Sequence, residues 1–277
     1  MDAFTAARPT LLGVAYRMLG SFVDAEDVVQ EAWVRWSAAD GIDEPTAWLR
    51  TVVTRLCLDE LRSARRRRES YVGPWLPEPV ATAAGALGPL DRVELRESVS
   101  LAMLLVLERL SPAERAVFVL REAFALPFDD VAAAVGRTAV GCRQLHRRAR
   151  LALAADLPVV ADRQLVLDRF LDALGGGDVA DVTAILLDDA VLVSDGGGVV
   201  SAARRPVVGG ERVARFLLGL LRRAQDLDIE VVEVNAGPAV VARQHGTVRQ
   251  VLVLDVVDDR VRQVLMVSNP SKLQALP

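Results

Sequence analysis

The stretch DAEDVVQEAWVRW (residues 24–36) decides the fold of the N-terminal part of this 277-residue chain. Its apolar residues recur at the spacing of one helical face: Val29, Ala32, Trp33 and Trp36. Carboxylates fall on another face of the same helix: Asp24, Asp27 and Glu31. This pattern predicts an acidic amphipathic helix. Its acidic face is either an ordinary solvated surface or a docking surface for a basic partner.

A second helix is predicted after a short polar loop, in WLRTVVTRLCLDELRSARRRR (residues 48–68). Leu49, Val53 and Leu56 form its apolar stripe. Five arginines lie within seven positions at its end: Arg62, Arg65, Arg66, Arg67 and Arg68. Such a run is either a solvated basic patch or a phosphate-binding surface. An acidic and a basic surface within about fifty residues are typical of an adaptor between another protein and DNA.

A helix-turn-helix is predicted downstream. Ser111 and Glu114 form a capping box with Pro112 at the first helical position. A short helix follows over residues 127–135, Gly136 ends it, and Thr138 caps a third helix that runs to about residue 153. That helix carries Arg143, Arg147, Arg148 and Arg150, which suit base edges and flanking phosphates. The alternative is an ordinary three-helix subdomain with an arginine-rich surface.

Together these motifs closely resemble a bacterial RNA polymerase sigma factor of the extracytoplasmic-function (ECF) type, over roughly residues 8–155. The resemblance implies that the first helix docks on the polymerase core through Asp24, Asp27, Gln30 and Glu31. It implies that the second helix faces the minus-ten promoter element, with these candidate DNA contacts: Trp48, Arg55, Arg62, Arg65, Arg66, Arg67 and Arg68. Trp48 either stacks on a base or packs in the core.

The resemblance also implies that the third helix of the downstream unit reads the minus-thirty-five element. Its candidate DNA contacts are Thr138, Arg143, Gln144, Arg147, Arg148 and Arg150. Arg143, Gln144 and Arg147 are expected to reach bases because a helix presents positions i, i+1 and i+4 towards a groove. Arg148 and Arg150 are expected to contact phosphates. Where many relatives carry an Arg-Leu pair, this chain has Leu145 and His146.

Between the two helical units, the segment WLPEP resembles the linker signature of the ECF subgroup that has a C-terminal SnoaL-like extension. Two further motifs resemble signatures of that extension: DGGG (residues 195–198), followed by Val199 where relatives usually have lysine, and NPSKL (residues 269–273). The glycines form either a tight turn or a surface that receives the linker or the DNA-binding domains. The regulatory contacts implied are Trp75, Leu76, Pro77, Glu78, Pro79, Asp195, Gly196, Gly197, Gly198, Asn269, Pro270 and Lys272.

From about residue 158 the pattern changes to helices followed by short apolar runs, which predict strands in residues 190–195, 198–208, 228–234, 239–244, 247–257 and 260–268. This is an α+β pattern, similar to the SnoaL-type cone-shaped barrel. The predicted fold class is therefore multidomain: two all-α sigma domains and an α+β domain. The expected boundaries are 1–70 for region 2, 71–95 for the linker, 96–157 for region 4 and 158–277 for the SnoaL-like domain.

Composition restricts the remaining function classes. The net charge is −4, so basic charge is local to two helices, and Lys272 is the only lysine among 33 basic residues. The chain has two cysteines and no His/Cys ligand spacing, so we expect no metal or cofactor. It has no leader and no 18-residue apolar run, so we expect a cytoplasmic protein with no membrane partner.

The expected partners are RNA polymerase core and promoter DNA, with a regulatory contact inside the chain. The fold of the extension leaves a small-molecule ligand open, but no carboxylate or histidine spacing in it forms a dyad, so no enzyme is expected. The alternative function is a DNA-binding regulator fused to a sensing or enzymatic SnoaL-like domain.

Overall fold

The structure is a computed structural model, and it describes residues 3–82, 87, 98–154, 162–224 and 226–276, without the side chains of residues 64–69. The chain divides into two compact units. The first combines Met1–Ser70 with Thr82–Leu157, and the second combines Tyr71–Ala81 with Pro158–Pro277. The segment that follows the arginine run therefore groups with the C-terminal part of the chain rather than with the helices before it.

Three helices begin the first unit: α1 (Ala3–Leu19), α2 (Phe22–Ser37) and α3 (Pro45–Glu69). The Ser21 hydroxyl caps α2 by accepting a hydrogen bond from the Asp24 N–H. Both predicted helices are confirmed, but two predicted apolar positions are wrong. Trp33 is 43% exposed, and the fully buried residue beside Val53 is Cys57 rather than Leu56. In α3 the buried stripe shifts by one position, because the helical period of 3.6 does not match a fixed spacing.

The rest of the first unit contains α4 (Leu101–Leu107), α5 (Pro112–Phe118), a π-helical turn (Val119–Ala123), α6 (Phe128–Val135) and α7 (Ala139–Leu153). The predicted capping box is confirmed, since the Ser111 hydroxyl accepts from the Glu114 N–H and the Glu114 carboxylate accepts from the Ser111 N–H. The Thr138 hydroxyl caps α7 through the Gly141 N–H at 3.1 Å. Helices α5, α6 and α7 therefore form the helix-turn-helix expected from the sequence.

The second unit contains α8 (Arg163–Gly176), α9 (Val179–Ile185), α10 (Gly210–Leu221) and a sheet built from β1 (Leu186–Asp195), β2 (Val207–Val208), β3 (Asp228–Val234), β4 (Gly237–Gln244), β5 (Thr247–Val257) and β6 (Arg260–Val267). Within the described residues the strand order is β2-β1-β6-β5-β4-β3. Strands β1 and β6 are parallel, whereas the other neighbours are antiparallel. A short 3-10 helix (Pro270–Lys272) follows β6.

The helices of the second unit cover one face of the sheet. Val166 and Phe170 of α8 and Val213 of α10 are fully buried against Val264 of β6. The predicted α+β fold class is confirmed, but the strand predicted over residues 198–208 is wrong. Only Val207 and Val208 pair with β1, because a glycine turn precedes this segment and Pro206 removes a ladder donor. In the part of the chain that is described, no helix is both long and apolar enough to span a membrane.

Candidate polymerase, DNA and linker-binding surfaces

The acidic face of α2 borders a surface depression of about 560 Å³. Asp24, Asp27 and Glu31 line it from α2, and Asp59 and Glu60 line it from α3. Val28 and Leu56 supply an apolar floor. The fourth predicted contact, Gln30, is exposed but does not line the depression. Sequence analysis missed the two carboxylates from α3, because their position beside α2 depends on how the helices pack.

This surface combines negative charge with an apolar floor. Glu31 pairs with Arg35 at 2.9 Å, and Asp59 pairs with Arg62 at 2.7 Å, but both pairs are about half exposed or more. Exposed ion pairs of this kind contribute little and exchange readily with a competing cation. The depression is therefore suited to a helix that presents basic and apolar side chains.

The predicted DNA-contacting residues of α3 are in different environments. Arg62 is exposed, whereas Arg55 donates a hydrogen bond to the Ala133 carbonyl at 3.1 Å. Trp48 is half-buried and lies 5.9 Å from the Trp36 ring, at an interplanar angle of 57°. The backbone of residues 65–68 continues α3, but the side chains of Arg65, Arg66, Arg67 and Arg68 lie outside the described residues.

Helix α7 separates into a buried and an exposed face. The buried face consists of Cys142, Leu145, Ala149 and Leu153. The exposed face carries the predicted DNA contacts Arg143, Gln144, Arg147, Arg148 and Arg150. Thr138 caps the start of this helix, so its hydroxyl already has a backbone partner. Arg148 is 3.3 Å from Glu114, and the Arg143 guanidinium lies over the Phe128 ring.

The Leu145-His146 pair, which departs from the common sequence pattern, packs inward. Leu145 is 6% exposed. His146 contacts the Glu122 carboxylate at 2.5 Å, and its ring lies beside Phe118 and Phe128. Neither side chain belongs to the exposed face, so the candidate base contacts on α7 do not depend on this departure.

Two buried arginines join the two sets of helices in the first unit, and sequence analysis missed both. Arg17 of α1 donates to the Gly13 carbonyl and the Ser98 hydroxyl, each at 2.8 Å, and lies over the Phe124 ring. Arg115 of α5 donates to the Met18 carbonyl at 2.8 Å and to Glu108 at 2.6 Å. The only sequence signal was a charged residue inside the apolar run LLGVAYRML.

Burial changes the protonation chemistry of both guanidiniums. Removal from water lowers the pKa of Arg17 to about 10 and that of Arg115 to about 9. Both groups therefore stay charged at neutral pH. Each desolvated charge requires its partners, so the contact between α1 and the downstream helices is specific in geometry.

In the second unit, Asp195 is the centre of a polar cluster that holds the linker. Its side chain is fully buried at the end of β1. One carboxylate oxygen accepts from the Tyr71 hydroxyl at 2.6 Å and the Gly197 N–H at 3.0 Å. The other accepts from the Leu76 N–H at 2.8 Å and the Lys272 ammonium at 2.7 Å. Four donors therefore neutralise and fix one buried carboxylate.

Lys272 contacts the linker as well as Asp195. Its ammonium donates to the Leu76 carbonyl at 2.5 Å, and it lies 4.2 Å from the Trp75 ring centroid and 5.0 Å from that of Tyr71. A lysine that is only 6% exposed makes both an ion pair and two cation–π contacts. We call the contacts of Asp195 and Lys272 with residues 71–76 the linker clamp.

Asn269 completes the linker clamp. Its amide nitrogen donates to the Tyr71 hydroxyl at 2.8 Å, while its amide oxygen accepts from the Ser271 N–H at 3.1 Å. The Ser268 and Asn269 N–H groups both donate to the Asp195 carbonyl. Burial, followed by the hydrogen bond to Asp195, raises the pKa of Tyr71. Tyr71 therefore donates as a neutral phenol, and sequence analysis missed its role.

A second anchor holds the far end of the linker. The Val80 N–H donates to the Asn235 side chain at 3.0 Å, and the Asn235 N–H donates to the Val80 carbonyl at 2.9 Å. Ala81 forms an antiparallel bridge with Val234 of β3. Between the two anchors the linker residues Leu76, Pro77, Glu78 and Pro79 are buried. Sequence analysis gave no signal for Asn235.

The DGGG motif is a tight turn that lies directly against the linker. Gly197 has φ +61°, and a Cβ atom there would lie 2.6 Å from Asn269 Cγ. Gly198 has φ +73°, and a Cβ atom there would lie 3.0 Å from Val72. Glycine is required at both positions because a side chain would be strained and would displace these neighbours. The motif is therefore both a tight turn and a surface that contacts the linker.

Most of the sequence-predicted regulatory residues lie in the linker clamp or in the linker between its two anchors. Pro270 is exposed at the start of the 3-10 helix, and Gly196 packs against Val200 and Ala202 within its own turn. Val199, which replaces the usual lysine, is 73% exposed. Among the described residues no group of three or more His, Cys, Asp or Glu side chains is placed to hold a metal ion.

Two known protein families match the helical regions of the first unit. A Sigma-70 region 2 model matches residues 3–67, and a Sigma-70 region 4 model matches residues 100–153. The ECF RNA polymerase sigma factor SigJ of Mycobacterium tuberculosis is 39% identical, over 100% of this chain and 94% of that protein. The probable ECF RNA polymerase sigma factor SigI of the same organism is 35% identical, over 99% and 94%.

The structural comparison extends over both units. The crystal structure of the Mycobacterium tuberculosis factor SigJ has a TM-score of 0.82 and 36% sequence identity, and the match covers 99% of this chain and 98% of that one. The fold and surfaces described above define a two-region sigma protein with an attached α+β domain. The chain belongs to the family of ECF RNA polymerase sigma factors.

Proposed function

We propose that this sigma factor directs promoter-specific initiation by RNA polymerase core and that its own C-terminal domain modulates it by holding the linker. The observation that carries the regulatory part is the linker clamp. A segment that connects two promoter-binding regions is bound by a buried carboxylate and the only lysine of the chain. Polymerase pairing would place the protein in the cytoplasm.

The acidic depression is the proposed docking surface for polymerase core. Asp24, Asp27 and Glu31 concentrate negative charge around an apolar floor, and Gln30 extends the same face of α2. Complementary charge on the partner would steer association and fix its register. The carboxylates of Asp59 and Glu60 extend the predicted surface onto α3.

Charge reversal tests this docking surface. We expect the triple variant D24R/D27R/E31R to lose capture by core polymerase. The control is E26R, which makes the same change on α2, at an exposed residue outside the depression. Undiminished capture of the triple variant, with E26R also unchanged, would show that polymerase binds elsewhere.

The exposed face of α7 is the proposed reader of the minus-thirty-five element. Arg143, Gln144 and Arg147 are placed to reach base edges, and Arg148 and Arg150 are placed to contact phosphates. Substituting a base-contacting residue costs about 1–3 kcal/mol and relaxes specificity at one position, whereas losing a phosphate contact weakens all sequences alike. Binding of holoenzyme to promoter variants at several salt concentrations separates the two groups.

The exposed part of α3 is the proposed contact with the minus-ten element. Arg62 is free to reach phosphates once its surface pair with Asp59 exchanges, and Arg55 must first leave the Ala133 carbonyl. The arginines at positions 65–68 extend this basic run. Trp48 already packs on Trp36, so stacking on a base would require that contact to open.

The regulatory proposal is tested by transcription from purified components. Lys272→Met removes the ammonium from the linker clamp and keeps a chain of similar length. We expect more transcript per holoenzyme from this variant than from the wild type, because the linker is released more easily. The control is Arg215→Met, which removes an exposed ion pair with Glu211 on α10. Equal output from both variants and the wild type would contradict regulation through the clamp.

A further inference from the structure

The second unit contains an apolar cavity of about 300 Å³, separate from the linker clamp. It lies between the C-terminal halves of α8 and α10 and the helix-covered face of β3 to β6. Its main lining residues are Phe170, Leu174, Leu217, Ala242, Leu252 and Met266. Its volume falls at the lower end of the range for small-molecule pockets, about 300–1,000 Å³.

The chemistry of the wall points to an apolar occupant. Thirteen of the fifteen lining residues are apolar, and the exceptions are Arg223 and Gln250. Leu221 and Ile229 line the cavity and remain 38% and 52% exposed, so apolar surface continues to its mouth. A cavity with such walls offers water few partners and is filled more favourably by hydrocarbon.

Arg223 gives this cavity a charged end. It follows α10, next to the apolar wall formed by Leu220 and Leu221. Within the described part of the chain its guanidinium makes no hydrogen bond or ion pair. The adjacent Arg222 instead donates to the Leu218 carbonyl at 3.3 Å. A guanidinium beside a hydrocarbon pocket is suited to bidentate pairing with a carboxylate.

We propose that this cavity binds a small hydrophobic carboxylic acid, with its chain between α8, α10 and the sheet and its carboxylate on Arg223. Gln250 is the second polar residue of the lining. The inference goes beyond the proposed function, because it assigns a ligand class to a site that takes no part in polymerase, DNA or linker binding. Asp195, a fully buried acid of this unit, does not line the cavity and contacts the linker.

Calorimetric titration of the full-length protein tests the proposal with three probes of equal chain length, each below its micellar concentration or its solubility limit. The probes are decanoate, decan-1-ol and decylamine. We expect saturable binding of one decanoate per chain, with decan-1-ol at least ten-fold weaker and decylamine weaker still. Absence of saturable decanoate binding, or equal affinity for all three probes, would overturn the assignment.

Matched variants locate the binding site. Arg223→Gln should weaken decanoate at least ten-fold and bring it to the affinity of decan-1-ol, whereas Arg222→Gln should bind as the wild type does. Ala242→Phe should abolish binding by filling the cavity from β4. If that variant melts early, Leu174→Trp fills the cavity from the end of α8 and serves instead.

Decanoate binding that persists in a folded cavity-filling variant would place the ligand elsewhere and refute the site. This outcome is distinguishable from failure of the proposed function. Calorimetry needs no polymerase or promoter, and the transcription comparison of the Lys272 variant needs no decanoate.

Discussion

Lys272→Met tests the energetics of the linker clamp directly. The ammonium is 2.7 Å from an Asp195 carboxylate that is fully buried, and it also donates to the Leu76 carbonyl. Removing one partner of a buried ion pair typically destabilises by about 3–5 kcal/mol, mostly because the other charge is left unpaired. Methionine removes the cation–π contact with the Trp75 ring but has a side chain of similar length, so the volume of the site stays filled.

The expected loss lies at the lower end of that range. Asp195 keeps three donors after the substitution: the Tyr71 hydroxyl and the N–H groups of Leu76 and Gly197. We therefore expect a loss of about 3 kcal/mol, and since each 1.4 kcal/mol is a factor of ten, linker opening becomes roughly 100-fold more favourable.

Amide hydrogen exchange of the Leu76 N–H measures this opening. Where exchange follows the opening equilibrium, its rate should rise by about the same factor. The Val80 N–H reports separately, because it is held by Asn235 and not by the clamp. Arg215→Met, which disrupts an exposed pair worth about 0.3–0.5 kcal/mol, should change the Leu76 rate about two-fold at most. A Leu76 rate within three-fold of the wild type in Lys272→Met would refute the reasoning.

Three further predictions concern stability. Gly197→Ala should destabilise the second unit by about 1–3 kcal/mol in thermal unfolding, because it combines a positive φ with a clash against Asn269. The control is Gly175→Ala, at an open helical position, which should be neutral or stabilising. Arg115→Ala should lower the free energy of unfolding by about 3–5 kcal/mol in denaturant titration, whereas Arg115→Met should cost less because it fills the site. Equal losses in the two variants would mean that filling the site contributes nothing and that the lost charge and hydrogen bonds account for the whole cost. Folding raises the pKa of Tyr71. The contribution of Tyr71 to stability is therefore fully present below the unfolded pKa of about 10, and it is lost as the pH rises from that value through the folded pKa. Leu76 exchange should therefore be nearly unchanged from pH 7 to 9 once corrected for intrinsic rates and should accelerate above pH 10, and Tyr71→Phe should remove that acceleration.

The features predicted correctly from sequence are those that local interactions decide. The capping box of Ser111 and Glu114 and the Thr138 cap each join groups three residues apart. Their partners are therefore visible in a short window of sequence, and so are the apolar stripes of α2 and α3 apart from Trp33 and Leu56. The prediction of a strand over residues 198–208 was wrong for most of its length, because the apolar residues of a segment do not show whether a neighbouring strand is there to pair with it.

The clamp could be only partly predicted. Family resemblance indicated Asp195, Asn269, Lys272 and the WLPEP segment, but it did not say which atoms meet. Tyr71 and Asp195 are 124 residues apart, and Asn235 binds a residue 155 positions before it. The periodic pattern of apolar residues along a sequence carries no information about such long-range contacts. The buried contacts of Arg17 and Arg115 could not be predicted for the same reason, since Arg17 binds the Ser98 hydroxyl and Arg115 binds the Met18 carbonyl, each on a distant segment.

The balance between the charges and apolar residues of the clamp bears on whether it can work as a switch. A buried ion pair gains attraction but loses hydration, so its net contribution is often close to that of an apolar pair of the same size. Opening the clamp returns Asp195 and Lys272 to water, which recovers part of the desolvation cost. Moving a two-state equilibrium from 1:99 to 99:1 requires about 5.5 kcal/mol of differential affinity. Polymerase that binds the released form more tightly by that amount would open the linker, whereas a fully apolar contact would regain nothing from water on opening.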